Sequence, residues 1–267
     1  MKRKVPSFLK KTFFSKRQRF VAGVLFLSLS LFLTEHFMGK SGLIPVIAIG
    51  AVSDLFLYWA LHKDLKENFS PQVFILPFFY TLALGLFYLL VPQRLIIKLI
   101  LTVVYALGIY SVFLSQNIFT VSSIRTIALL SSARTVSFVT TIFSYFFLTN
   151  VIFALHINVY FTLVLIALSS FMLAIHSIWT YALDKKLKEI TPWGVMLTLC
   201  LAQVAFLLWF WPSTPTTISL FLTGVFYIVI GLSHLWFEKR LFKGVIWEYI
   251  WVAFVVFIVL IVFTTWA

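Results

Sequence analysis

Charged residues are scarce in this sequence, and acidic residues are the scarcest of them. Only 11% of the 267 residues are charged, and eight of these are Asp or Glu, whereas a soluble domain carries about 25% charged residues. The low charge, together with a mean hydropathy of +1.05, excludes a water-soluble protein. It also excludes disordered, collagen-like and coiled-coil proteins, whose compositions are polar or strictly periodic.

The sequence also lacks the residues and motifs of several common functional sites. Its single cysteine, Cys200, can form neither an internal disulfide nor a cysteine-based metal cluster, and we expect it to be a small packing residue. There is no glycine-rich phosphate loop, no Gly-x-Ser-x-Gly, no His-Glu-x-x-His and no aspartate cluster for a diphosphate. We therefore expect no catalytic motif, metal site, cofactor or nucleic-acid partner, and the sequence gives no support to an enzymatic activity.

Long hydrophobic runs fill the chain instead, and hydrophobic residues make up 62% of it. A membrane-spanning helix needs about 20 apolar residues. Nine windows of about this length are present: residues 21–37, 43–61, 73–91, 95–115, 127–153, 159–183, 193–211, 218–237 and 246–266. We therefore predict an all-α, polytopic integral membrane helix bundle with about nine transmembrane helices, forming one transmembrane domain over residues 20–267.

Prolines divide these windows. Pro71, Pro92 and Pro192 lie in predicted connections. Pro45 and Pro77 lie inside predicted spans, where a proline removes a helical hydrogen bond. They therefore predict a kink in the second span and another in the third.

Residues 1–19 form a basic amphipathic tail with eight Lys and Arg residues, no acid and several interleaved Phe and Leu residues. This pattern is typical of a short helix lying on an anionic leaflet. It also fits a plain signal for membrane topology. In the first interpretation, anionic lipids of the inner leaflet bind Lys10, Lys11, Lys16, Arg17 and Arg19. A membrane protein is a possible further partner.

The distribution of Lys and Arg predicts the orientation. If the N-terminus is cytoplasmic, the inside segments hold 18 of the 21 Lys and Arg residues, and the outside segments hold Lys40, Arg94 and Lys98. Cytoplasmic segments of membrane proteins are enriched in these residues. We therefore predict a cytoplasmic N-terminus.

Three ionisable residues lie at matching depth within the spans. Asp54 is eight residues before His62, and His176 is eight residues before Asp184, so each lies about 12 Å from the inner boundary. Arg134 lies at a similar depth in the fifth window. Each such group costs about 2.5–3.5 kcal/mol to insert, so each needs a structural or functional reason.

Arg134 also begins a polar stripe, because Ser137 and Thr141 follow it at i+3 and i+7 on one helix face. In one interpretation, these residues mediate helix packing around an Asp54–Arg134 ion pair, with His176 in the same pocket. In the other, they line a polar cavity open to the cytoplasm. Because Asp54 is the only deep acid that the sequence indicates, we predict that it contacts Arg134 directly or through one water.

Two further polar groups lie at the predicted membrane boundaries. The inner-boundary cluster consists of His234, Glu238, Glu248 and Arg125. Its His-x-x-x-Glu spacing could supply two metal ligands, but no third ligand is near in sequence, so we expect salt bridges. An outer group is expected to pair at the surface: Glu35, His36, Arg94 and Lys98.

Three stretches carry a resemblance to known sequences: residues 119–136 (FTVSSIRTIALLSSARTV), 210–217 (FWPSTPTT) and 219–252 (SLFLTGVFYIVIGLSHLWFEKRLFKGVIWEYIWV). They resemble uncharacterised polytopic membrane proteins of candidate-phyla, ultrasmall-cell bacteria. The resemblance implies a multi-pass protein of the bacterial cytoplasmic membrane. It implies no activity and no catalytic residue.

Three hypotheses about function follow from the sequence. The first is a non-enzymatic membrane subunit or scaffold of the cell envelope. The second is a transporter or lipid-handling protein with a cytoplasm-facing polar cavity around Asp54, Arg134 and His176. The third is a membrane enzyme that acts on a lipid-linked substrate through the same three residues. A water-filled cavity reaching Arg134 favours the second and third hypotheses, and a dry, sealed Asp54–Arg134 pair favours the first.

Overall fold

A computed structural model describes residues 15–38, 42–65, 70–92, 94–122, 128–183 and 187–264. Within these ranges it contains nine α-helices that are long and apolar enough to cross a membrane, and no β-strand. The helices are α1 (Lys16–Met38), α2 (Leu43–Leu65), α3 (Ile75–Leu90), α4 (Leu95–Ser122), α5 (Leu130–Ala154), α6 (Val159–Trp179), α7 (Leu187–Trp209), α8 (Pro215–Phe237) and α9 (Lys243–Val262). A short 3-10 helix, Pro71–Phe74, precedes α3. The prediction of an all-α polytopic membrane bundle is confirmed.

Prolines lie elsewhere in the helices than the sequence predicts. Pro45 and Pro77 are in the first turns of α2 and α3, where the absent N–H has no helical acceptor to lose. The two prolines therefore lie at the starts of these helices and not at mid-span, where the sequence places them. Pro192 lies inside α7, which begins at Leu187 instead of after the proline.

Helices α3 and α5 lie at the centre of the bundle. Helix α3 packs against α2, α4, α5 and α6, and α5 packs against α3, α4, α6 and α8. Helix α1 packs against α2 and α4, α7 packs against α6 and α8, and α9 packs against α8. Since α3 and α4 each contact both α2 and α5, they lie between these two helices.

One end of the bundle holds the first residues of the odd-numbered helices and the last residues of the even-numbered helices. We call it the inner end, because the Lys and Arg distribution predicts it to be cytoplasmic. Helix α1 begins there at Lys16, so Lys16, Arg17 and Arg19 of the predicted tail belong to this helix. Lys10 and Lys11 lie outside the described residues.

Glycines let the central helices approach closely. A Cβ atom at Gly108 of α4 would lie 1.8 Å from the Tyr80 hydroxyl oxygen of α3, and one at Gly85 of α3 would lie 2.5 Å from a methyl group of Val46 in α2. The Tyr80 hydroxyl uses this space to donate a hydrogen bond to the Val104 backbone oxygen at 3.1 Å. Small residues at helix contacts are how membrane helices gain close packing without a hydrophobic driving force.

Candidate functional site

His176 of α6 is fully buried and joins three other segments of the chain. Its Nδ1 atom lies 2.9 Å from the Gln72 backbone oxygen. Since a carbonyl oxygen can only accept, Nδ1 carries the hydrogen, and Nε2 is the acceptor of the neutral ring. Nε2 lies 3.3 Å from the Ser137 hydroxyl of α5 and 3.4 Å from the Gln116 amide nitrogen of α4. The imidazole therefore has partners at both nitrogens.

The polar stripe predicted on α5 points into the bundle, since Ser137 and Thr141 are buried, and Ser144, three residues after Thr141, is buried too. Of these three hydroxyls, that of Ser137 is the one bonded to another helix within the described part of the chain. The Thr141 hydroxyl donates to the Ser137 backbone oxygen, and the Ser144 hydroxyl donates to the Thr140 backbone oxygen, each at 2.8 Å. Hydroxyls bonded to their own helix in this way are satisfied without water.

His234 of α8 forms a second buried contact, with Ser177 of α6. Its Nε2 atom lies 3.0 Å from the Ser177 hydroxyl oxygen and 3.2 Å from the Ser177 backbone oxygen. Tyr181 stacks on the imidazole, with ring centroids 3.9 Å apart, and Phe138 of α5 meets it edge-on at 5.0 Å. This histidine therefore ties α8 to α6 and packs against α5.

Arg134, near the start of α5, makes three contacts. Its Nε atom donates to the Thr180 backbone oxygen at 2.9 Å, and Nη1 lies 3.5 Å from Glu238 Oε1. Its guanidinium also lies over the Tyr181 ring, 4.6 Å from the centroid. Glu238 reaches a second cation, since its Oε2 atom lies 3.8 Å from Arg240. Arg134 is thus paired at the inner end of the bundle.

Tyr181 lies just beyond the end of α6 and contacts both His234 and Arg134. Burial raises the pKa of its phenol, the Glu238 carboxylate raises that pKa further, and the Arg134 guanidinium partly lowers it. The phenol therefore stays neutral near pH 7, and the ring acts as a flat surface between a histidine and an arginine.

We call this connected set of residues the polar core. It consists of Gln72, Gln116, Arg134, Ser137, His176, Ser177, Thr180, Tyr181, His234 and Glu238. It joins the 3-10 helix before α3 to α4, α5, α6 and α8. Its members meet mainly across helix contacts, so it binds the central helices to one another.

The predicted contact between Asp54 and Arg134 is wrong. Arg134 is bonded to Glu238 and Thr180, and Asp54 forms no ion pair within the described part of the chain. The Asp54 Oδ1 atom is buried and has no hydrogen-bond partner there. Counting residues from a span end gives a depth but no direction around the helix axis, and α3 and α4 lie between α2 and α5.

Glu35, which the sequence placed in a surface group, is buried near the end of α1. Its side chain is completely buried, and neither carboxylate oxygen has a hydrogen-bond partner among the residues described. Lys98, also buried, donates from Nζ to the Glu35 backbone oxygen at 3.2 Å. The surface pairing predicted for these two residues is therefore wrong, whereas His36 and Arg94 are exposed.

The inner-boundary cluster is divided. His234 and Glu238 belong to the polar core, Glu248 is exposed on α9, and Arg125 lies outside the described residues. Arg134, assigned to the intramembrane group from the sequence, pairs with Glu238 of the boundary group. In the ranges described above, no three His, Cys, Asp or Glu side chains are grouped as metal ligands.

Two cations of the predicted tail contact α2 instead of facing only lipid headgroups. Lys16 pairs with Asp64. Arg19 donates to the Trp59 backbone oxygen at 3.2 Å, and its guanidinium lies 5.2 Å from the centre of the Trp59 ring. Arg17 is exposed. The start of α1 is therefore held against the inner end of α2.

Sequence reasoning missed two glutamines of the polar core. Gln72 follows Pro71 in a stretch predicted to be a connection, and Gln116 lies one residue beyond the predicted end of the fourth span. Helix α4 continues to Ser122, and Gln116 is completely buried there. An amide beside Thr120 at i+4 was the available signal, because two polar residues at that spacing share one helix face.

Comparison with known sequences gives the family. The family model described as "Protein of unknown function (DUF5656)" matches residues 36–263. The chain belongs to the DUF5656 family. The match begins near the end of α1 and covers the polar core and all of α2 to α9. No curated protein and no solved structure is significantly similar to this chain.

Proposed function

We propose that this DUF5656 protein is a non-enzymatic membrane subunit or scaffold of the bacterial cell envelope. The observation that carries the proposal is that the two ionisable side chains His176 and Arg134 of the polar core are engaged by neighbouring parts of the bundle. His176 has a partner at each ring nitrogen, and Arg134 is bonded to Thr180 and Glu238. Groups that bond across helices in hydrocarbon stabilise packing. Groups already engaged in this way are poorly placed to bind a solute.

The proposed location is the bacterial cytoplasmic membrane, with the N-terminus inside. The nine helices able to span a membrane that the described residues contain support a multi-pass protein. The resemblance of residues 119–136, 210–217 and 219–252 to membrane proteins of candidate-phyla bacteria supports the bacterial assignment. Within this proposal, Lys10, Lys11 and the exposed Arg17 face anionic lipids of the inner leaflet, and Lys16 and Arg19 also contact α2.

A transporter or lipid-handling protein is the second candidate. It is favoured by the two acids with unpartnered buried oxygens, Asp54 and Glu35. Acids within membrane spans mark ion and proton pathways in many carriers. In this alternative, Asp54 belongs to a path that opens toward the cytoplasm and that Arg134 and His176 border.

The two candidate functions predict different compositions for the particle that detergent extracts from the native membrane. The experiment crosslinks cells before gentle solubilisation and measures the mass of the purified particle. A scaffold or subunit gives one constant mass above the 30.8 kDa of the chain, with a second membrane protein in fixed ratio. A particle containing this chain alone, whose melting temperature rises with one added solute, would contradict the proposal.

Asp54→Asn is the matched variant for this experiment. It removes an ionisable carboxyl group that has no ion-pair partner among the described residues. The scaffold proposal therefore expects the variant to keep the composition of the particle. The carrier alternative expects it to abolish any stabilisation by solute.

A further inference from the structure

Helix α7 carries a shallow groove, open along most of its length and about 790 Å³ in volume. The described lining residues all lie on this one helix: Lys188, Thr191, Pro192, Val195, Met196, Leu199, Cys200 and Gln203. They recur every three or four residues, which is the spacing of one helix face. The groove therefore runs along the helix, from its inner end into the membrane.

The middle of the groove faces the hydrocarbon of the bilayer. Val195, Met196 and Leu199 are 43%, 56% and 58% exposed, although α7 packs tightly against α6 on its opposite side. These three residues begin seven residues after Lys188 and end eleven residues after it, a span of about 10–16 Å along the helix. One leaflet of hydrocarbon is about 15 Å deep, half of the full core. An acyl chain of the inner leaflet matches this distance.

The mouth of the groove is cationic. Lys188 is exposed at the inner end of α7, and the acid beside it, Glu189, does not line the groove. The mouth therefore offers an ammonium group to an anion.

A second groove, between α3, α4 and α5, has a volume of about 410 Å³. Its lining includes Tyr80, Ser111 and Thr135, and none of its described lining residues is charged. It offers no comparable group to a lipid phosphate. The combination of a cation with an apolar channel is what distinguishes the α7 groove.

We propose that the α7 groove binds one anionic phospholipid of the inner leaflet. The lipid phosphate contacts the Lys188 ammonium, and one acyl chain follows Val195, Met196 and Leu199. Basic groups at the cytoplasmic side of membrane helices bind anionic headgroups in this way. The site is separate from the polar core, and the inference rests on the proposed function only for the orientation that makes this leaflet the inner one.

Native mass spectrometry of the full chain tests the proposal. The protein is released from nanodiscs containing equal amounts of phosphatidylglycerol and phosphatidylcholine, and the retained lipids are counted. We expect the wild-type protein to retain phosphatidylglycerol preferentially. Lys188→Gln should lower the ratio of the two retained lipids about fivefold, as expected for one cation near the surface.

Lys243→Gln is the matched control, because Lys243 is also exposed at the inner end, as the first residue of α9. It should leave the ratio unchanged. An equal fall in both variants would overturn the proposal, because it would indicate general attraction to the basic surface.

Val195→Trp tests the apolar part of the site, since it fills an exposed position of the groove without disturbing a helix contact. It should remove the tightly retained lipid, with no change in melting temperature. If lipid retention is unchanged, no acyl chain occupies the groove and the proposal fails. Another occupant, such as a membrane helix, would then cover this face of α7.

Discussion

Arg134 and Glu238 form an ion pair between the start of α5 and the end of α8, with Nη1 and Oε1 3.5 Å apart. The two residues are 104 positions apart in sequence and bring together two predicted clusters. Tyr181 lies beneath the guanidinium, and Thr180 accepts from its Nε atom. The inner ends of α5 and α8 and the residues that follow α6 are thus held at one point.

A double-mutant cycle between Arg134→Gln and Glu238→Gln should give a coupling energy of about 1 kcal/mol. Both side chains are partly exposed, so the value should stay near the upper limit for surface pairs. The measurement is thermal unfolding in detergent. The control cycle pairs Arg134→Gln with Asp54→Asn and should be additive, because these residues are on helices separated by α3 and α4. Coupling in the control cycle would indicate that Asp54 and Arg134 interact, as the sequence predicts.

Replacement of His176 should destabilise the bundle strongly. His176→Phe replaces the buried imidazole with an apolar ring, and it leaves the Gln72 carbonyl and the Ser137 hydroxyl without their imidazole partner. Each unsatisfied group costs about 1–3 kcal/mol. His36→Phe serves as the control, because His36 is exposed. Equal melting temperatures for the two variants would show that the buried hydrogen bonds contribute little.

Gly108→Ala should destabilise the contact between α3 and α4 by about 1–3 kcal/mol, the usual cost of overpacking. The added methyl group would meet the Tyr80 hydroxyl at 1.8 Å. Tyr80→Phe in the same chain should recover part of the loss, because it removes the clashing oxygen. Gly244→Ala is the control, since nothing lies within 4 Å of its Cβ position. Failure of Tyr80→Phe to restore any stability would argue against this close approach.

Arg19 should contribute to stability, and its neighbour Arg17 should not. Arg19→Gln removes the contact with the Trp59 ring and weakens the bond to the Trp59 carbonyl. We expect a loss of about 0.5–1 kcal/mol, as for a partly exposed cation–π contact. Arg17→Gln removes the same charge from an exposed position, and its melting temperature should equal that of the wild-type protein. A matching loss in both variants would assign the effect to charge alone.

The sequence was sufficient to predict the class of fold, because the bilayer allows few solutions. Each span must be apolar over a fixed length, and a run of consecutive apolar residues is visible directly in the sequence. Helix ends were less predictable. The polar residues Gln116 and Thr120 continue α4 past the predicted end, because they are buried inside the bundle instead of facing water. Pro192 did not stop α7, although it is the sixth residue of the helix and removes one helical hydrogen bond there.

The sequence predicted several residues of the candidate site, but it predicted fewer of the contacts between them. His176 and Ser137 were grouped correctly, because both lie on buried faces of adjacent helices. Asp54 was grouped with them through its depth alone, and depth does not decide which helices are neighbours. The burial of Glu35 was also beyond the sequence, because it depends on how α1 meets α4.

The chemical accessibility of position 137 tests most directly whether the polar core is closed to water, as the scaffold proposal requires. Ser137→Cys, placed in a Cys200→Ala chain, puts a near-isosteric thiol beside the His176 ring. Lys243→Cys and Thr214→Cys are exposed controls at opposite ends of the bundle. A polar core that holds helices together predicts that a charged methanethiosulfonate reagent modifies both controls and leaves residue 137 unmodified, whichever side of the membrane the reagent reaches. Rapid modification of residue 137 from the inner end would show a water-filled path into the polar core and would contradict the scaffold proposal.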